Sequence, residues 1–417
     1  MSAAAPLAPA ERSATLDTLR GFALLGILVM NIQLFAMPGA AYTNPTAYGD
    51  LSGANWWVWL VSHVFFDQKF MTIFSLLFGA GILVFAERAE GRAQSARGLH
   101  YRRMAWLLVF GLLHAYGLWL GDILVTYAIC GMLVFPLRKR KPATLLAIGT
   151  ALIAVSSALW LLLGFTMRFW PPEIVEEVQR GDWLPPPDAI ASEIAIYQSG
   201  WWTQMQERVP TSFEFQTFDF LIWGLWRAGG LMLIGMALSK VGVLTGQRST
   251  AFYARMTVLG FAIGVPTIAY GVYRDVLANW DVRYSFFIGS QWNYWGSLFL
   301  TAGWMGLVLI AARTQALTAI TSRLGAVGRM AFTNYLLHTI ICTTIFYGHG
   351  LGYFGQMPRT GQALIVLEIW VLQLALSPVW LRHFHFGPME WLWRSLTYCS
   401  AQPFRRVERA PAFSSSG

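Results

Sequence analysis

Several titratable side chains of this 417-residue chain stand inside or at the edge of long apolar runs, where a buried charge is expensive and function is its commonest reason. His114 is one of them. It lies in GLLHAYGLWLGDIL, about 9 Å short of the end of its run at the helical rise, with Asp122 just beyond the break at Gly121. A carboxylate beside a histidine orients the ring and supports its charged form, as general-base chemistry needs. A packing histidine satisfied by its neighbours is the competing reading. His63 and Asp67 are spaced i, i+4 and followed by Lys69, a grouping that could wall an outward-facing cavity. The plainer view makes His63 interfacial and lets Lys69 snorkel to the headgroups. Asp17 and Arg20 can pair at i, i+3, and Asn31 continues the same helix face. That end is read either as a structural ion pair or as a contact for a phosphate-bearing ligand. Asn334 and His338 also share a face, while Arg227 and Glu368 fall within apolar runs. Arg227 is expected to meet a carboxylate or a bound anion, since an unpaired arginine in lipid is costly.

The elements that would hold these residues are membrane helices. Hydrophobic residues make up 56% of the chain and charged ones 12%, about half the charge of an ordinary soluble domain. Mean hydropathy is +0.48. Runs near the roughly 20 residues that a span requires occur at Leu16–Phe35, Phe66–Ala86, Met104–Leu120, Ile123–Leu137 and Ala143–Phe165. Others follow at Phe218–Leu238, Phe252–Val272, Phe286–Ala312, Val327–Tyr347 and Gln362–Leu381. The expected fold is an all-α polytopic bundle of about ten spans. The third and fourth runs are short and tightly joined at Gly121–Asp122, so they could form one hairpin.

Most of the 30 Lys and Arg fall on one side of these runs, including Arg88, Arg92, Arg102, Arg103 and Arg138–Lys141. The other side has only Arg168, Arg180, Arg208, Arg274, Arg283 and Arg359. By the positive-inside rule both termini are cytoplasmic. The expected organisation is a disordered tail over 1–11, one integral membrane domain over 12–398 and a cytoplasmic tail over 399–417. An acidic loop near 166–217 would face outward, with a helix in Asp188–Arg208 showing Tyr197, Trp201 and Trp202. The first run is read as a span rather than a cleaved signal, because Asp17 and Arg20 suit a signal poorly.

The net charge of +9 is explained by topology, and no basic run interleaved with aromatics points to nucleic acid. Cys130, Cys342 and Cys399 are odd in number and lack metal-ligand spacing, so neither a structural disulfide nor a metal site is expected. No GxSxG, P-loop, HExxH or dinucleotide fingerprint occurs in a suitable context. Gly79–Gly81 reads as a helix-packing stripe.

The opening RSATLDTLRGFALLGILVMNI, KFMTIFSLLFGAGI and HAYGLWLGDILVTYAICG resemble the YeiB-like bacterial membrane proteins. So do GRMAFTNYLLHTIICTTIFY and FGPMEWLWRSLTY, and the likeness runs from about Arg12 to Tyr398. That family is grouped with transmembrane acyltransferases such as the lysosomal heparan-glucosaminide acetyltransferase. The resemblance implies a multi-pass protein of the bacterial inner membrane that moves an acyl group from cytoplasmic acyl-CoA to an acceptor across the membrane. It marks Asp17, Arg20, Asn31, Lys69, His114, Asp122 and Asn334 as motif positions, with His63 the rival base. On this reading Arg20, Arg102 and Arg103 would hold the CoA phosphates, Arg being suited to bidentate contact. Lys69 or Asn31 would stabilise the oxyanion beside His114. Asn334, His338 and Arg227 would line the substrate path. A second copy of the chain is a candidate partner. The rival class is a transporter or flippase of a small anion or lipid-linked intermediate, in which the same groups line a pathway.

Overall fold

The computed structural model describes residues 14–314 and 317–406; the expected tail at 1–11, and the end of the C-terminal tail, lie outside the described residues. The chain runs through α1 (Ala14–Ala36), α2 (Ala40–Thr43), α3 (Gly53–Phe65), α4 (Lys69–Gly91), α5 (Ala96–Gly117) and α6 (Leu124–Val134). It continues through α7 (Pro142–Thr166), α8 (Pro172–Val178), α9 (Pro187–Tyr197), α10 (Trp201–Glu214), α11 (Leu225–Lys240) and α12 (Thr250–Leu277). It ends with α13 (Val282–Tyr284), α14 (Ser290–Ala311), α15 (Thr318–Arg329), α16 (Ala331–Phe346), α17 (Arg359–His383) and α18 (Pro388–Tyr398). The fold is all-α, as an apolar chain in lipid requires: each helix satisfies its own backbone groups.

Among the described residues, 7 helical stretches are long and apolar enough to cross a membrane: Ala14–Ala36, Gly53–Gly91, Pro142–Phe169, Trp201–Lys240, Thr250–Leu277, Val282–Ala311 and Arg359–His383. The expected spans at Met104–Leu120, Ile123–Leu137 and Val327–Tyr347 are helical too, but they do not meet that standard. The basic start of α5 lowers its hydropathy, while α6 has 11 residues and α16 has 16. The most apolar windows of α7, α12 and α17 are each only 28% buried, which fits helices that face lipid rather than a protein core.

Small residues set the crossings at the centre. A Cβ at Gly79 of α4 would overlap the Met232 carbonyl of α11, and one at Gly235 would overlap the Leu76 carbonyl. The two backbones therefore approach as closely as small-residue packing allows. Gly79 thus belongs to a packing stripe, whereas Gly81 faces open space. Gly21 of α1 and Gly328 of α15 form a second such crossing.

The connection near 166–217 holds α8, α9 and α10, so the helix expected in Asp188–Arg208 is present as two, α9 and α10, broken between Tyr197 and Trp201. Its aromatic residues divide. Tyr197 is buried on Tyr347 and Phe354, Trp201 is half-buried, and Trp202 is 80% exposed. α10 covers the end of α5. Trp201 Nε1 and Arg208 Nη1 donate to the Gly117 carbonyl, each at 2.9 Å, and the Ser212 hydroxyl donates to the Ala115 carbonyl at 3.1 Å. The last carbonyls of a helix lack partners within it. Here a neighbouring helix supplies them, so the short α5–α6 hairpin ends without bare backbone.

Candidate functional site

Among the described residues, three polar constellations within the bundle hold most of the residues singled out above. The first forms where α3 breaks from α4. Gln68 takes φ 65°, a left-handed conformation uncommon for a side-chain-bearing residue, and the turn brings Lys69 in as the first residue of α4. Lys69 is fully buried, so it does not snorkel, the plainer of its two readings. Its ammonium donates to the His63 carbonyl at 2.7 Å and to Asn293 Oδ1 at 2.6 Å. The His63 carbonyl ends α3 and so carries the negative end of that helix dipole, which suits an ammonium. Asn293 of α14 donates from its amide nitrogen to Asp67 Oδ2 at 2.6 Å, and Asp67 Oδ2 lies 3.3 Å from His63 Nδ1. The His63 ring stacks on Trp59 with centroids 5.3 Å apart. The His63 side chain keeps 24% of its surface exposed, and among the described residues its Nε2 has no hydrogen-bond partner.

Arg227 of α11 sits in the same half of the bundle, fully buried. No carboxylate among the described residues hydrogen-bonds to it. Its guanidinium donates to Ser297 Oγ at 2.8 Å, to the Tyr294 carbonyl at 3.3 Å and to Thr72 Oγ1 at 3.4 Å, and lies 4.2 Å from the centre of the Tyr294 ring. A ring face and three neutral oxygens hold it, because the guanidinium fork can satisfy several acceptors at once.

The second constellation is centred on His114. Its Nδ1 lies 2.8 Å from Asp122 Oδ1, and the other Asp122 oxygen accepts the Val125 amide at the start of α6. With the Nδ1 proton given to Asp122, Nε2 is left to accept, and Thr339 Oγ1 of α16 stands 2.9 Å from it. Hydroxyl, imidazole and carboxylate are thus in the order of a catalytic triad. Both the His114 and Asp122 side chains are only 1% exposed, and Thr339 is fully buried. Neither Lys69 nor Asn31 hydrogen-bonds to His114; Asn31 is half-buried on α1.

The third constellation stitches α16 to α17. Asn334 donates to Ser377 Oγ at 3.1 Å, His338 Nε2 meets Gln373 Oε1 at 2.9 Å, and Gln373 donates to the Asn334 carbonyl at 3.0 Å. At the bundle end that carries the start of α1, Arg20 pairs with Asp17 at 2.7 Å. Arg103 stacks over Trp393 at 4.4 Å and feels the charges of Arg394 and Arg20. Arg102 donates to the Thr397 carbonyl and to Cys399 Sγ.

Asn293 and Thr339 went unnoticed in the sequence. Each joins a pair more than 200 residues away, and neither type stands out in an apolar helix.

An all-helical bundle with lipid-facing surfaces and buried ionisable clusters defines a multi-pass membrane protein. Residues 238–400 match the family model described as protein of unknown function (DUF418). The chain is 34% identical over 403 residues to the protein named Uncharacterized protein YeiB of Escherichia coli (strain K12), covering 94% of this chain and 98% of that one. It is 30% identical over 427 residues to Uncharacterized protein YxaH of Bacillus subtilis (strain 168), covering 97% and 99%. Similarity extends to an Uncharacterized 39.9 kDa protein in the amylase 3' region of Bacillus acidopullulyticus, 28% identical over 396 residues. The chain belongs to the YeiB-like family.

Proposed function

We propose that this chain is an acyltransferase of the bacterial inner membrane, with its termini in the cytoplasm and His63 as its general base. One observation carries this choice. His63 has its Nδ1 against Asp67, its Nε2 without a partner among the described residues and its side chain 24% exposed, whereas both His114 nitrogens are engaged and that side chain is 1% exposed. A base must reach the proton it removes. Nε2 would take the proton of an acceptor hydroxyl or amine as that atom attacks a thioester carbonyl. The Lys69 ammonium, one step from His63, would steady the oxyanion, and the proton would then pass to the departing CoA thiolate. At the opposite end Arg20, Arg102 and Arg103, joined by Arg394, would hold the CoA phosphates.

The test compares acyl-CoA consumption by purified protein in proteoliposomes. His63→Ala should lower turnover by about 10²–10⁴-fold with expression intact, the usual cost of losing a general base. His114→Ala should keep turnover and lose stability. Loss of turnover in His114→Ala alone, at unchanged stability, moves the base to His114.

A transport reading rests on a different observation: Lys69 and Arg227 are two fully buried cations in a region where Asp67 is the carboxylate that acts on both. A small anion would complete that balance. Normal turnover in both histidine variants, or none in the parent alongside anion flux, would favour transport.

A further inference from the structure

A cleft of about 390 Å³ lies between α1, α3 and α17, within the roughly 300–1,000 Å³ range of small-ligand sites. Its walls are apolar, among them Ile32, Val58, Phe66 and Val366. At its rim Trp57, Val61 and Leu367 are 63%, 46% and 51% exposed, so the cleft opens sideways, where a bilayer would surround the bundle. An ordinary lipid tail could brush such a surface. The polar lining asks for more.

Arg359, Gln362 and Gln33 line the cleft and are 2%, 2% and 5% exposed. Arg359 spends its terminal nitrogens on the carbonyls of Asp50, Pro45 and Tyr48, and its Nε has no partner. Gln362 donates to the Met357 carbonyl, while its Oε1 has no partner. The Gln33 amide nitrogen has only the Met30 sulfur, at 3.9 Å. Left so, each is a buried polar group short of a strong hydrogen bond, which costs stability. One idle donor, one donor held only by a sulfur and one idle acceptor beside an apolar trough are complementary to a chain whose head brings both acceptor oxygens and an N–H donor.

We propose that the cleft holds one phospholipid with a primary-amine headgroup. Its acyl chain lies along the apolar walls, its phosphate oxygens accept from Arg359 Nε and Gln33 Nε2, and its ammonium donates to Gln362 Oε1. This assignment stands apart from the acyl-transfer reading and survives its failure.

The test uses the full chain in nanodiscs of equal parts phosphatidylethanolamine and phosphatidylcholine, which share a phosphate but differ in N–H donors. Native mass spectrometry after delipidation should find one phosphatidylethanolamine retained, preferred by about tenfold, equivalent to about 1.4 kcal/mol. Ala363→Trp, which fills the cleft, and Gln362→Leu, which removes the acceptor, should each abolish the preference. Equal retention of the two lipids, or an unchanged preference in both variants, would mean ordinary boundary lipid and overturn the proposal. Stronger retention of phosphatidylglycerol in a matched disc would overturn the amine assignment. Should Ala363→Trp fail to fold, a photoactivatable phosphatidylethanolamine keeps the question open to refutation. It should label peptides holding Val61 or Leu367, and label spread evenly over the lipid-facing helices would refute the site.

Discussion

At His114 both ring nitrogens are engaged, and at His63 only one is, so the two residues answer differently to the same substitution. His114→Ala would strand the Asp122 carboxylate and the Thr339 hydroxyl, both buried, at about 1–3 kcal/mol for each unsatisfied group. Thermal unfolding in detergent should show the loss, and Thr339→Val should show a smaller one. Glu193 on α9, outside the spans, gives a pH-dependent case. Burial and the charge of Glu207 push its carboxyl up to about 7, against the pull of the Gly39 amide that donates to it at 3.0 Å. A carboxyl raised on folding binds its proton more tightly in the native state. Its stabilising contribution is therefore fully present below about pH 4.5 and fades as pH rises through about 7. The unfolding temperature of Glu193→Gln should vary less with pH across that window than the parent's. Parallel curves would dismiss this role for Glu193.

At the scale of elements, the α5–α6 hairpin depends on α10. Arg208 and Trp201 both serve the Gly117 carbonyl, so either alone leaves it satisfied, whereas Ser212 donates to the Ala115 carbonyl. Arg208→Ala combined with Trp201→Phe should therefore destabilise by more than the sum of the two single changes, the sign of a shared acceptor. A double-mutant cycle on thermal unfolding checks it, and strict additivity would argue against the shared role. The α4–α11 crossing is less forgiving. Gly235→Val would drive methyl groups into the Leu76 backbone, and overpacking of this kind costs about 1–3 kcal/mol or more. Poor recovery of folded protein on size-exclusion chromatography is the expected result. Gly81→Val, facing open space, is the matched control.

For the whole molecule, the proposed orientation rests on where arginine and lysine fall. Reporter fusions after Arg140 and after Arg255 should read as cytoplasmic, and one within Asp182–Glu193 as exterior. A cytoplasmic signal from the Asp182–Glu193 fusion would invert the bundle. It would also place the phospholipid cleft, at the Arg359 end of α17, in the inner rather than the outer leaflet.

The all-helical, lipid-facing character of this protein was legible in the sequence, because hydropathy is a sum over neighbouring residues and needs no knowledge of contacts. The local pairs were legible for the same reason. Asp17–Arg20 and His63–Asp67 are one helical turn apart, and the structure finds them at 2.7 and 3.3 Å. Partners drawn from distant helices were not. Lys69 reads as a residue that could snorkel until α14 brings Asn293 to it, and nothing local to Arg227 announces that Tyr294 lays its ring against it. His114 stands out by its type and its carboxylate, yet only the fold shows that Thr339 closes its second nitrogen. The stretch near 166–217 lacks one clear helical period because it is divided among short helices, of which α10 covers the α5 end. One-dimensional pattern decides which segments leave water, and the packing of helices far apart in sequence decides which buried polar atoms are left free to do chemistry.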